Sequence, residues 1–123
     1  MTKYPLPVDA AYFFDFISIL SIKYDRFGDK KVLNDYVECA DVMKGIIGEQ
    51  KFNEVTKSKE YQELYDANNI LFDMVDLAKD DKVKASDVDS WVLIRWNKKV
   101  TLQSKFFPEV VFGEKKYGYK EVK

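Results

Sequence analysis

Apolar side chains return every three to four residues along most of this chain, and that rhythm leaves room for little except helices. The first run, Tyr12, Phe13, Phe16, Ile19, Leu20 and Phe27, halts at Gly28; the second, Val32, Leu33, Tyr36, Cys39, Ala40, Met43, Ile46 and Ile47, halts at Gly48. A third passes through Tyr61, Leu64, Tyr65, Leu71, Phe72, Val75 and Ala78 to the charged turn at 79–82, and a fourth through Val88, Val92, Leu102 and Phe106 to Pro108. A period of 3.6 residues keeps such positions on one helical stripe, whereas a half-buried strand would alternate. Glycine and proline then act as stops, one by freeing the backbone and the other by withholding an amide.

Start signals agree with this division. Asp9, after Pro5 and Pro7, is a good N-cap for the first helix; the second opens near Asp29 or Lys30, and the third between Asn53 and Ser58. Ser86 with Asp89 three residues on has the form of a capping box and predicts the start of the fourth. Beyond Pro108, Val110 to Phe112 and Tyr117 to Tyr119 flank Gly113 and Gly118, a pattern that fits a short hairpin or an extended strap. The expected architecture is all-α: one domain over residues 1–123, a four-helix antiparallel bundle with a short extended or hairpin C-terminal tail.

Composition supplies limits. With 123 residues, 46% of them apolar, the chain can build one core, and a net charge of −1 provides no global field for nucleic acid. Histidine is absent, which removes any mechanism that needs an imidazole base or a His-ligated metal. The single Cys39 cannot close an internal disulfide and falls on an apolar face, as an inert thiol would. The opening MTKYPLPVD lacks the basic and apolar regions of a signal peptide, and no apolar run reaches the ~20 residues of a membrane span, so a soluble, cytoplasmic protein is expected. Arg26 and Arg95 are the only arginines among 20 cations, and a guanidinium fork suits carboxylate or phosphate better than an ammonium does.

Polar residues that fall inside apolar arcs are the candidate functional groups. Projection at about 100° per residue leaves the second helix clean, with Asn34, Glu38 and Asp41 on its opposite face. In the first helix Lys23 falls among Tyr12, Phe16, Ile19 and Phe27, with Asp15 and Arg26 at the edge of the arc. In the third, Asn68 lies between Tyr61, Leu64, Phe72 and Val75, with Asp76 at the border. In the fourth, Arg95 and Lys99 share the strip of Val88, Val92, Leu102 and Phe106, with Trp91 and Trp96 on either side. A buried unpaired charge costs several kcal/mol, so these cations need acids such as Asp15, Asp76 or Glu114, an anionic ligand, or access to water. Three readings stay open at this point: a structural polar network, a ligand site and a partner surface. Asn68 constrains them most, because a short amide cannot reach out to solvent.

The run DFISILSIKYDR at 15–26 resembles D-K-I-S-I-L-E-I-K-x-x-R, the signature of an uncharacterised helical domain family of bacteria and phages. NNILFDMVDLAK at 68–79 is similar to that family's N-x-x-L-W-x-I-E-D-x-I-R, RWNKK at 95–99 to its R-x-N-D-R-R, and EKKY at 114–117 to its closing E-K-S-Y. The order is the same, and the segments span most of the chain. The resemblance implies that Asp15, Lys23, Arg26, Asn68, Asp76, Arg95, Asn97, Lys99 and Tyr117 occupy motif positions. Val75 and Lys98 stand where the family has acids. The family carries no assigned activity, so the resemblance implies where a site lies and not what it does.

Function is therefore expected to be binding. In this reading Lys23, Asn68, Arg95, Lys99 and Tyr117 hold a small anionic ligand, phosphorylated or nucleotide-like, supported by Asp15, Arg26, Asp76, Trp91, Trp96 and Asn97, with no catalytic residue, metal or cofactor. One alternative is a protein-interaction or phage and host-control module acting as a homo-oligomer, suggested by eight Tyr, nine Phe and two Trp. Another is a magnesium-dependent all-α nucleotide hydrolase using Asp35, Glu38, Asp41, Glu60, Glu63, Asp66, Asp73 and Asp76. Nucleic-acid contact through Lys105, Lys115, Lys116 and Lys120 with Tyr117 and Tyr119 ranks last.

Overall fold

A computed structural model of the protein describes residues 9–108 and resolves them into five helices: α1 (Ala10–Phe27), α2 (Lys30–Ile47), α3 (Glu49–Thr56), α4 (Lys59–Lys79) and α5 (Ala85–Phe106). Regular structure among the described residues is entirely helical, so the all-α expectation holds, while the four-helix count is corrected by α3. That helix holds just two buried residues, Phe52 and Val55, too short a run for periodicity to announce it. The expected tail, including Glu114 and Tyr117, lies outside the described residues. No described helix is long and apolar enough to cross a membrane.

The stops work as local chemistry requires. Gly28 takes a left-handed conformation (φ 65°), and its amide donates to the Tyr24 carbonyl at 2.8 Å, closing α1; a side chain there would be strained by the backbone alone. Asp29 accepts from the Lys31 amide and Ser58 from the Tyr61 amide, capping α2 and α4 as their sequences suggest. Two caps differ from expectation. The N-cap of α5 is Lys84, two residues before Ser86, so Ser86 sits inside the helix and its carbonyl accepts from the Ser90 hydroxyl; Asp87 faces the positive helix end instead. At α1 the Asp9 side chain caps nothing, and the Ala11 amide donates to Gln103 Oε1 at 2.9 Å, while Gln103 Nε2 donates to the Phe107 carbonyl. A glutamine 92 positions away thus does the work of a local cap.

α1 packs on α2, α4 and α5, and α4 on α5 forms the most extensive pairing; α3 rests on α2 and α4. Gln103 beside Ala11 and Lys99 beside Asp15 set α5 antiparallel to α1. Phe14 is the centre of the core, its ring near those of Phe52, Tyr61 and Phe107, with Ile17, Val55, Leu64 and Leu102 fully enclosed around it. Truncating Leu64 or Leu102 to Ala in such a site costs about 2–5 kcal/mol. Packing thins toward the opposite end: α4 beyond Leu71 and α5 before Lys99 hold no buried residue, and Val75, Val92, Leu93 and Trp96 are exposed. A polar cluster lies where the two zones meet.

Candidate functional site

The cluster is assembled by three helices. Asp15 and Ser18 come from α1, Asn68 from α4, Arg95 and Lys99 from α5, and all but Arg95 are buried. Asn68 spends both hydrogens of its amide: Nδ2 donates to Asp15 Oδ1 and to Ser18 Oγ, each at 2.8 Å. Ser18 in turn donates to the Asp15 main-chain carbonyl at 2.7 Å, a back-bond to the preceding turn that fixes its hydroxyl as an acceptor for Asn68. The Asp15 carboxylate is held from α4 by Asn68, whose amide Ser18 helps to place.

Two cations meet this fixed carboxylate. Lys99 Nζ lies 3.7 Å from Asp15 Oδ2, with both side chains about nine-tenths enclosed. Arg95 Nε lies 4.0 Å from Asp15 Oδ1, an ion pair by distance but outside hydrogen-bond range. Arg95 Nε is a buried donor without a partner, and among the described residues no hydrogen bond reaches the Arg95 guanidinium. Its side chain is 32% exposed, so the charged head stands at the rim of the cluster and in reach of solvent. Burying a donor unsatisfied costs about 1–3 kcal/mol, which makes this atom the least comfortable one in the cluster.

The expected site residues divide plainly. Asn68, Arg95, Lys99 and the supporting Asp15 come together. Lys23 does not: it is exposed on the outer stripe of α1 with Tyr12 and Phe16, while the inward face carries Phe14, Ile17, Ser18 and Ile22. The first helix is apolar on both sides, so the arc around Lys23 is its solvent face. Asp76 and Asn97 are exposed, Trp91 is half-buried, and Trp96 is 41% exposed. Arg26 sits elsewhere, at the end of α1, donating to Asp73 at 2.6 and 3.0 Å and to Asn69 through its side-chain and main-chain oxygens, with its guanidinium 4.7 Å from the Phe72 ring centre. Tyr117 falls outside the described residues. Ser18 and Gln103, which the projection passed over, are fully buried hydrogen-bonding groups. For Ser18 the available signal is its spacing from Asp15 and Ile22, three and four residues along one face.

The acids weighed for magnesium are dispersed. Asp73 is bound by Arg26, Glu63 by Lys98 and Lys59, Glu60 by Lys105, Asp35 by Lys31, and Asp66 by Gln62. Among the described residues no three acidic or cysteine side chains gather where they would hold a metal ion. What the central cluster offers is an oriented positive group at a partly sheltered position. Comparison with known proteins finds no protein-family model, curated protein or solved structure that matches this chain.

Proposed function

We propose that the protein binds a small anionic ligand, phosphorylated, nucleotide-like or carboxylate, at the α1–α4–α5 cluster, with Arg95 as the group that meets it. The observation behind this reading is the Arg95 guanidinium: beside a shared carboxylate, buried at Nε, hydrogen-bonded to no described residue, on a side chain that is about one-third exposed. Arginine elsewhere in the chain is saturated with acceptors, as Arg26 demonstrates. Lys99 adds a second positive charge, Asn68 keeps Asp15 from turning away, and Trp91 and Trp96 stand about a turn or less from Arg95 on α5 as surfaces for a ring or an apolar body.

Thermal melts against a panel of phosphorylated metabolites, nucleotides and carboxylic acids test it. A ligand at about a hundred times its dissociation constant raises stability by about 2.7 kcal/mol, and Arg95→Ala abolishes that rise while melting as the parent does. Stabilisation by no anion, or an Arg95→Ala variant that merely unfolds, removes the proposal.

A second reading draws on the thinly packed end of the molecule. Val75 on α4 and Val92, Leu93 and Trp96 on α5 are between 41% and 60% exposed there. A homodimer or protein partner would cover it. Light scattering decides: a monomer at all working concentrations counts against self-association.

A further inference from the structure

Helices α1 and α5 are apolar on two sides, and the bundle covers one of them. On α5, Lys98 and Lys105 reach Glu63 and Glu60 of α4, and projection at about 100° per residue puts Leu93, Trp96 and Val100 on the far side of the helix. On α1, Ser18 and Asp25 meet Asn68 and Tyr65 of α4, and the same projection puts Tyr12 and Phe16 opposite them. Tyr12, Phe16, Leu93 and Trp96 are all exposed, so both helices turn aromatic and aliphatic surface to the side remote from α4. A second apolar stripe gives a helix a second face to bury. In a chain that is 33% charged, this face is nearly bare of charge. Its charged members by projection are Lys23 on α1 and Asp89 on α5, opposite in sign, both exposed, and neither in an ion pair with a described residue. The outer faces of α2 and α4 differ, pairing Lys31 with Asp35 and Lys59 with Glu63.

We infer that the α1–α5 face binds a second copy of this chain about a two-fold axis parallel to the helices, each α1 lying over the partner's α5 with Lys23 opposite the partner's Asp89. This deepens the self-association reading and rests on it. The register carries the argument. Ala11 meets Gln103 and Asp15 meets Lys99, so along antiparallel helices Phe16 comes level with Lys98, between Trp96 and Val100, and Lys23 comes level with Trp91. Two residues separate Trp91 from Asp89, about 3 Å along the axis. A two-fold axis along the helices keeps those levels while exchanging α1 for α5, so it sets each Phe16 between the partner's Trp96 and Val100 and brings Lys23 and Asp89 together twice. A two-fold axis across the helices would instead lay α1 on α1 and leave both charges against apolar side chains. Helices roughly 27 and 33 Å long, about 10 Å apart, offer a face of about 30 by 20 Å, of the order of the ~800 Å² that each partner gives to a stable interface. An isologous contact of this kind closes as a dimer and does not propagate.

Light scattering of the full chain over a concentration series reads the mass, which rises from 14.4 kDa to twice that value if the face pairs. Lys23→Glu and Asp89→Lys each weaken the dimer by roughly tenfold or more, because the symmetry repeats each like-charge contact. Mixing those two variants in equal amounts restores the parent's dimerisation, since the mixed dimer pairs Glu with Lys on one side and Lys with Asp on the other. No other arrangement of the face gives that rescue. Circular dichroism checks that each variant folds; should either charge variant fail to do so, Phe16→Glu decides, yielding a monomer if the face pairs and overturning the interface if the dimer persists. A dimer that neither reversal weakens, or that mixing does not restore, overturns this pairing of α1 with α5 and leaves self-association through another surface standing. A parent that stays monomeric throughout overturns the interface and the self-association reading together.

Discussion

Arg26 and Arg95 carry the same group in two regions of one bundle, and their surroundings differ in every respect that matters to a guanidinium. Arg26 closes the C-terminal end of α1, makes five hydrogen bonds to Asn69 and Asp73, and lies over the Phe72 ring at the surface. Its charge also suits the negative end of its own helix. Arg95 leans into the centre, next to a carboxylate that two other groups already use, and makes no hydrogen bond to any described residue. A latch is saturated; a binding group is kept short of partners. The contrast teaches that burial alone does not mark a functional cation, since what separates the two arginines is whether the fold has already supplied their acceptors.

The strongest way to break the comparison is to remove the carboxylate beneath Arg95. Asp15→Ala takes away the buried carboxylate that Lys99 and Arg95 share, and taking one partner from a buried pair costs about 3–5 kcal/mol. Chemical denaturation should show the loss directly. Asn68→Ala comes next: it frees Asp15 Oδ1 and the Ser18 hydroxyl from their shared donor, and leaving buried polar atoms without partners costs about 1–3 kcal/mol. If either variant melts with the parent, the cluster is not the organising feature described above.

At the Arg26 end the expected losses are smaller and depend on conditions. Arg26→Ala lowers the melting temperature, less than Asp15→Ala does, and the difference shrinks with added salt because the pair is exposed. Arg26→Lys recovers only part of it, since an ammonium cannot repeat the fork to Asp73. The hydrogen bond from Arg26 holds the Asp73 carboxyl below its usual range. A folded value below the unfolded one means that this contribution is present above about pH 4 and fades as pH falls through the folded value. Tyr65, nearby, behaves in the opposite sense. Burial and its hydrogen bond to Asp25 at 2.6 Å push its phenol up to about 12. Stability from Tyr65 is therefore complete below about pH 10, the ordinary phenol value, and is lost as pH rises through the folded value. In alkaline melts Tyr65→Phe loses less stability than the parent over that range; identical profiles would mean the phenol is not coupled to folding.

Much of the architecture was legible because helices announce themselves through spacing and through Gly28, Gly48, Ser58 and Pro108. α3 was not, for its contribution to the core is two side chains. Asn68 and Lys99 were found inside apolar stripes because those stripes do face inward. Lys23 shows the limit of the same reasoning: α1 is apolar around most of its circumference, and projection cannot tell which arc meets the neighbours and which meets solvent. Gln103 was invisible for a different reason. Its partner is the Ala11 amide at the far end of the chain, and only the docking of α5 against α1 brings them to 2.9 Å. Sequence periodicity reports on one helix at a time, and these polar contacts belong to pairs of helices.

The smallest expected change is the sharpest test of the contrast. Arg95→Ala removes a cation whose Nε is buried and unbonded, so it deletes an unfavourable burial along with a long-range attraction to Asp15, and Lys99 stays behind to neutralise that carboxylate. The two effects oppose each other, and stability should stay within about 0.5 kcal/mol of the parent. Arg95→Met, which keeps the aliphatic stem, should sit at or slightly above it. Equal denaturation midpoints for Arg95→Ala and the parent, beside a lowered midpoint for Arg26→Ala, would establish that Arg95 is dispensable to the fold and Arg26 is not. A drop at Arg95 as large as that at Asp15 would mean that the guanidinium is structural after all, and that the cluster is a sealed polar core with nothing to bind.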